Sequence, residues 1–375
     1  MEVKEKVLIY PYDADFTPIL RHRCILEMFE ITAVVSPKGW SYEHRDASHG
    51  DNGDDMRIIV ETDFTKSLEK CETVVIVETD KKLDIHEFVL PRIITAIEKG
   101  KNIISLINID SEDCALINQK CMEHDVYFKC FYNDSNIYDT TDVGIVSRSA
   151  LPEINTPIIF VSGVSERCNK FEIQLSLREK LQKYGYKVSQ IGSRRYCEFL
   201  GFHSFPYFML SNKFLEHQKV QLLRKYICDI ESKEKPDVII FGLPGGIVPL
   251  TDYYVNNYSI LAYEVLNAFI PDVSVLSVIY ENYNSDFYYS IDKTILDRYG
   301  VKTDCFNLSN VKVSWPDTFN QKSMMVSSFS SKFLDQEIKK MDIDKLVCNI
   351  LNPDDAEKMA GYLVDLLADD AVYTV

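Results

Sequence analysis

The chain has 375 residues, 46% of them hydrophobic and 12% aromatic, enough for packed cores and too apolar for long disorder. Its net charge of −16 disfavours nonspecific binding to nucleic acid or to an anionic membrane surface. At this length two domains are the natural expectation.

From the N-terminus, Val7–Tyr10 predicts a first strand, ending at Pro11-Tyr12-Asp13. A helix carrying Ile19, Ile25, Leu26 and Phe29 follows, then a strand at Ala33–Val35 and a turn at Ser36–Trp40. Val74–Val77, Ile103–Ile107 and Val126–Cys130 predict further strands, with an amphipathic helix at Phe88–Lys99. This alternation indicates a parallel, doubly wound sheet over residues 1–145. No G-x-G-x-x-G follows the first strand, so the usual dinucleotide site is not expected. Between them, residues 43–55 carry His44, Asp46, His49, Asp51, Asp54 and Asp55. Their spacing fits no metal-binding pattern, and the stretch is expected to be a mobile, metal-free loop. Asp139–Pro157 is polar and is taken as the interdomain linker, with a second domain at 155–375.

The second domain opens on Ile158–Phe171, IIFVSGVSERCNKF. A four-residue apolar run predicts a buried parallel strand, Gly163 ends it, and helical spacing resumes at Phe171. A strand, a glycine turn carrying Lys170 and a helix N-terminus facing the turn form the plan of a phosphate-binding loop. Gly163 lies seven residues before Lys170, a spacing that resembles the G-x-x-x-G-x-G-K-T loop of dethiobiotin synthetase. Against that template Arg167 and Asn169 replace the inner glycines, and Phe171 replaces the metal-binding Thr. Asn169 tolerates a left-handed backbone; Phe171 cannot bind Mg²⁺. The competing reading is an ordinary strand-to-helix turn with a surface lysine.

A helix at 171–184 and a strand at 186–191 come next, then a long loop to about Asn212 that is rich in aromatics. It reads either as a binding loop, with Arg194, Arg195, Tyr196 and His203 as contacts, or as aromatic cover for the sheet edge. A helix at 213–233 and a strand at 237–242 lead into Gly242-Leu243-Pro244-Gly245-Gly246. In a parallel sheet this turn falls at the same carboxyl edge as Gly163, so Gly163, Asn169, Lys170, Arg194, Arg195, Gly242, Gly245 and Gly246 are the candidate anion-binding residues. The dethiobiotin synthetase group has a Glu before its second glycine turn; Phe241 stands here. A helix at Ile260–Phe269, a strand at Val273–Tyr280, a late strand at Met324–Phe329 and a final helix at Asp354–Leu367 complete the pattern.

Ten scattered cysteines form no C-x-x-C pair, and no apolar run reaches membrane-spanning length. With no signal-peptide pattern at the N-terminus, a cytoplasmic protein with reduced thiols is expected. Cys168 and Cys197 are considered as nucleophiles, but no histidine is close enough in sequence to serve as base, and a triad cannot be assembled.

The stretches YPYDADFTPILRHR, VVSPKGW, SGVSERCNKFEIQLSLRE, YKVSQIGSRRYCEFLGFHSFPYFM and KPDVIIFGLPGGIVP resemble the clostridial peptide maturation system proteins. That resemblance implies work beside radical-SAM enzymes and carrier-like proteins on a ribosomally synthesised, modified peptide; it brings no catalytic residues. Two functions follow from the residues and the resemblance together. One is an NTP-dependent accessory enzyme using ATP or another nucleotide, with the need for Mg²⁺ left open. The other is a non-catalytic scaffold for the precursor peptide or the peptide-modifying enzyme. Homo-oligomerisation stays open.

Overall fold

The structure is a computed structural model that describes residues 3–81, 83–132, 138, 152–321 and 324–373. The chain forms two compact units, one of residues 1–134 with 195–201 and one of residues 135–194 with 202–375. Residues 139–151 of the expected linker lie outside the described residues.

The first unit is built on five parallel strands: β1 (Glu5–Tyr10), β2 (Phe29–Val34), β3 (Thr73–Ile76), β4 (Asn102–Ser105) and β5 (Phe128–Cys130). They lie in the order β2-β1-β3-β4-β5, a doubly wound arrangement. The helices are α1 (Thr17–Arg21), α2 (Phe64–Ser67), α3 (Leu90–Glu98) and α4 (Ser111–Glu123). Leu8, Val74, Ile76 and Ile103 from the strands pack with Ile93 and Ile97 of α3 and with Ile117 and Cys121 of α4. Phe29, expected on a helix, instead opens β2, and Ile25 lies in a short 3-10 turn. Helix α4 was not expected. Its buried face is little more than Asp113, Ile117 and Cys121, too thin a stripe to stand out by periodicity, and Asp110 marks its start by capping the Asp113 N–H.

The stretch 43–55 differs from the expected mobile loop. Asp46 caps a 3-10 turn at Ala47–Gly50 and accepts from the backbone N–H groups of Ser48, Met56 and Ile58 at 2.8–3.0 Å. Tyr12 donates its hydroxyl to Ala47 O at 2.6 Å, and Arg21 pairs with Asp51 at 2.8 Å. The acidic side chains are thus used to fix backbone. His44 and His49 remain exposed.

The second unit has a seven-stranded parallel sheet in the order β14-β11-β10-β6-β9-β7-β8. Its strands are β6 (Ile158–Gly163), β7 (Val188–Gly192), β8 (His203–Ser204), β9 (Val238–Gly242), β10 (Val273–Val278), β11 (Cys305–Leu308) and β14 (Leu346–Cys348). Strands β12 (Val311–Val313) and β13 (Val326–Ser328) pair with each other as a separate antiparallel hairpin. The late strand expected at Met324–Phe329 is therefore a hairpin arm, not a member of the main sheet. Helices α5 (Lys170–Lys183) and α11 (Pro353–Tyr373) cover one face, where Ile173, Leu177, Met359 and Leu363 meet Ile159, Val161 and Ile240. On the other face lie α6 (Glu216–Glu234), α7 (Ile260–Ala268), α8 (Ser285–Tyr299) and α10 (Ser331–Ile338). Leu223, Ile227, Val265, Ile295 and Leu334 pack there against Phe160, Ile239 and Phe241. Helix α9 (Trp315–Gln321) sits between the hairpin strands in sequence. Each unit is thus an α/β fold on its own parallel sheet, Rossmann-like in the first, with helices on both faces of the second sheet. Among the described residues, no helix is long and apolar enough to cross a membrane.

Three backbone donors on one carboxylate give Asp46 a measurable role. Burial alone would raise its pKa, but the hydrogen bonds led by those of Met56 and Ser48 outweigh it and hold the carboxyl below the usual aspartate range. Asp46→Ala should cost about 1–2 kcal/mol, the scale of a lost N-cap. The stabilisation is present above the ordinary aspartate pKa and is lost as pH falls through the lowered one. Urea unfolding at neutral and acidic pH tests this: the difference between wild type and variant should shrink on acidification.

Candidate anion-binding site

Strand β6 lies between β9 and β10, so its carboxyl end meets the ends of both neighbours at one edge of the sheet. The turn that follows β6 has an unusual backbone. Arg167 and Asn169, at the positions of the template's inner glycines, both have positive φ, 54° and 60°. Such angles are uncommon for residues with a Cβ, and alternation into the left-handed region turns successive N–H groups toward one concavity. Asn169 then leads directly into α5, whose N-terminus starts at Lys170. The hydroxyl of Ser309 donates to Asn169 Oδ1 and holds that side chain from the end of β11.

Close approach explains two glycines. A Cβ on Gly163 would overlap Cys168 Sγ and crowd the Lys170 stem, and one on Gly242 would overlap the Gln174 amide. Gln174 in turn binds across to the end of β7, donating to Ser193 Oγ at 3.2 Å and accepting from Ser193 N at 3.2 Å.

Lys170 is not the surface lysine of the competing reading; only 7% of it is exposed. Its ammonium donates to Ser165 O at 2.9 Å and to Gly245 O, tying the two glycine turns together. Among the described residues no carboxylate forms an ion pair with it. Burial pushes its pKa down, partly offset by Cys168 and Glu166, while nearby Arg194 pushes it down further. A buried ammonium held only by carbonyls is short of counter-charge. The turn has what an anion would complete.

The other candidates divide. The Arg194 guanidinium lies 5.5 Å from the centre of the Phe171 ring, which is itself buried. Arg195 belongs to the first unit, where it donates to Tyr132 Oη at 2.8 Å; Tyr196 and Cys197 are buried in the same segment. His203 lies on β8 and contacts Glu234 at 2.5 Å, while Ser189 also donates to Glu234. With the carboxylate between Ser and His, that trio cannot activate the serine, because the base would have to stand in the middle. The loop residues Phe205, Phe208 and Met209 are core residues of the second unit. Cys168 is fully buried with Sγ 3.0 Å from Ser165 O. Phe241, at the position of the template's Glu, packs against Phe160, Phe205 and Phe269. Gly246 N-terminal to the next loop is crowded by Asn256, which donates to Val164 O at 2.9 Å.

Three features were not foreseen. Ser309, from β11, reaches the turn, and a chain of side chains runs beneath it: Asn307 donates to Ser277 Oγ at 2.8 Å, and Ser277 donates to Cys168 O. Elsewhere, His86, Asp110 and Asp113 of the first unit place ligand atoms within 4.8 Å of one another. Asp110 and Asp113 share the start of α4, but His86 comes from a distant part of the sequence, so no local spacing could have revealed the whole group.

The comparisons with known proteins bear on the fold alone. No family profile matches the chain, and no curated protein matches it. A DUF1611 family protein from Anabaena variabilis is similar in structure, with a TM-score of 0.57 at 11% identity over 82% of this chain and 88% of that one. Homoserine dehydrogenase from S. aureus reaches a TM-score of 0.26 at 12% identity, over 34% of this chain and 32% of its own. Chloroplast FtsY from Physcomitrella patens reaches 0.25 at 13%, over 65% and 76%.

The balance at Lys170 predicts how two substitutions divide. Lys170→Met keeps most of the volume and removes both the ammonium and its burial cost, so the free protein should change stability by less than about 1.5 kcal/mol. Gly242→Ala has no room for its methyl group and should cost about 1–3 kcal/mol. Chemical denaturation of both variants reads the two numbers directly; a larger loss for Lys170→Met than for Gly242→Ala would make the ammonium a structural strut.

Proposed function

We propose that the second unit binds a phosphate-bearing ligand, ATP or another nucleotide, in the turn Gly163–Lys170, and that the protein serves as a cytoplasmic accessory in maturing a ribosomally synthesised, modified peptide. The observation that carries the first part is the buried Lys170 ammonium, partnered by carbonyls alone at the N-terminus of α5. A phosphate there would gain the lysine charge and the positive end of the helix dipole. The second part rests on the resemblance to the clostridial peptide maturation proteins, which also points to a radical-SAM enzyme as neighbour.

The same turn limits the chemistry. Phosphoryl transfer in phosphate-loop enzymes depends on Mg²⁺ held partly by a hydroxyl after the lysine. Phe171 has none, and Phe241 is committed to the core. Both favour binding over turnover. The second reading, a scaffold for the precursor peptide or its modifying enzyme, draws on these two phenylalanines.

Isothermal titration of ATP, with and without Mg²⁺, tests the assignment. Wild type should bind with little dependence on Mg²⁺, and Lys170→Met should weaken binding by at least about tenfold, the scale of one lost charge-assisted hydrogen bond. Affinity should be steady at neutral pH and fall as pH rises through the Lys170 pKa, because only the ammonium attracts the anion. Since burial lowers that pKa, the fall should begin earlier than for an ordinary lysine. Equal binding by the two proteins would return the turn to a purely structural role.

A further inference from the structure

Two segments border the anion turn, and each carries exposed aromatic rings. The first is the loop after Gly246. Its Asn256 donates to Val164 O at 2.9 Å and to Val248 O at 2.5 Å, fastening the loop to the turn. The second is the hairpin and helix α9. Arg167 of the turn donates to Met324 O at 3.2 Å, and Ser165 Oγ lies 3.5 Å from Met324 Sδ. The segments meet each other through Tyr253 and Phe319, whose rings pack edge to face at 5.4 Å, with Trp315 6.1 Å beyond Phe319.

That pair is not buried. Tyr253 is 83% exposed and Phe319 51%, although both belong to segments pinned to the turn. In an edge-to-face pair, the ring that supplies its edge keeps both of its faces open. The same loop carries an unusual backbone three residues beyond Tyr253. Asn256, Asn257, Tyr258 and Ser259 all have φ between 48° and 58°, four left-handed residues in a row without a glycine. Asparagine tolerates that region, but Tyr258 and Ser259 are sterically disfavoured in it. Strain of this kind persists where surrounding contacts over-determine it, and it gathers at ligand clamps. Tyr253 lies three residues from Asn256, so its Cα is within about 11 Å of the residue bonded to the turn.

We propose that Tyr253 and Phe319 form the ring-binding half of the site, against which a purine base stacks while the phosphates of the same nucleotide lie in the turn. The inference rests on the anion-binding reading above and names the ligand class for it. A second copy of this chain or a peptide would also find apolar surface here. The nucleotide is favoured because both aromatic segments are hydrogen-bonded to the anion turn itself, which makes the rings continuous with a site for charge.

The test compares ATP, tripolyphosphate and adenosine by isothermal titration against wild type, Tyr253→Ala, Phe319→Ala and Tyr253→Trp. Wild type should bind ATP at least about tenfold more tightly than tripolyphosphate, a modest value for one aromatic stack. Both alanine variants should lose that excess without weakening tripolyphosphate, and Tyr253→Trp should keep it. Because Tyr253 and Phe319 are exposed, circular dichroism should show all variants folded. Equal affinity of wild type for ATP and tripolyphosphate overturns the proposal while leaving the anion turn intact. So does undiminished ATP binding by both alanine variants. If tripolyphosphate itself fails to bind wild type, the anion reading fails first and this proposal falls with it.

Discussion

One ammonium group sets the electrostatics of the second unit's candidate site. Lys170 spans from the turn after β6 to the turn after β9, and its donors satisfy a carbonyl on each. The backbone adds a second link, from Ile247 N–H to Gly163 O at 2.8 Å. Its position follows from topology: parallel strands bring every turn to the same edge, and β6 lies between β9 and β10. The glycines at 163 and 242 are the sterically necessary complement, since the lysine stem and Gln174 occupy the space a methyl group would need.

The same lysine separates binding from catalysis. A buried cation without a carboxylate partner is an incomplete electrostatic arrangement, and an anionic ligand completes it. Turnover would need a metal placed against the phosphates. The positions that hold or assist a metal in the resembling loop are phenylalanines here, one beneath Arg194 and one in the core. The proposed affinity for phosphate and the proposed slow or absent hydrolysis are therefore compatible with one local sequence.

Much of the fold was legible because strands β1, β3, β6, β9 and β10 are short apolar runs bounded by turn residues, and because α3 has a strong apolar stripe. What stayed hidden had a physical reason each time. Helix α4 buries too few apolar residues, and Phe29 opens a strand because its neighbour β1 pairs with it in parallel register. The acidic stretch 43–55 looked solvated, yet Asp46 binds three backbone N–H groups, which composition cannot show. At the site, the left-handed tolerance of Asn169 could be read from the residue type, whereas Arg167 adopting the same region could not. Nor could the burial of Lys170, since nothing in the sequence says that a second turn closes over it. Ser309 reaches the turn, and Phe319 reaches Tyr253, through long-range contacts that no local pattern reveals.

The central claim is that an anion sits in the turn at the start of α5, and backbone amide resonances report on it most directly. On adding pyrophosphate to ¹⁵N-labelled protein, the account predicts saturable shifts concentrated at Val164–Phe171 and at Gly242–Gly246. Resonances in these turns that stay unmoved, or shifts confined to other parts of the chain, would contradict it.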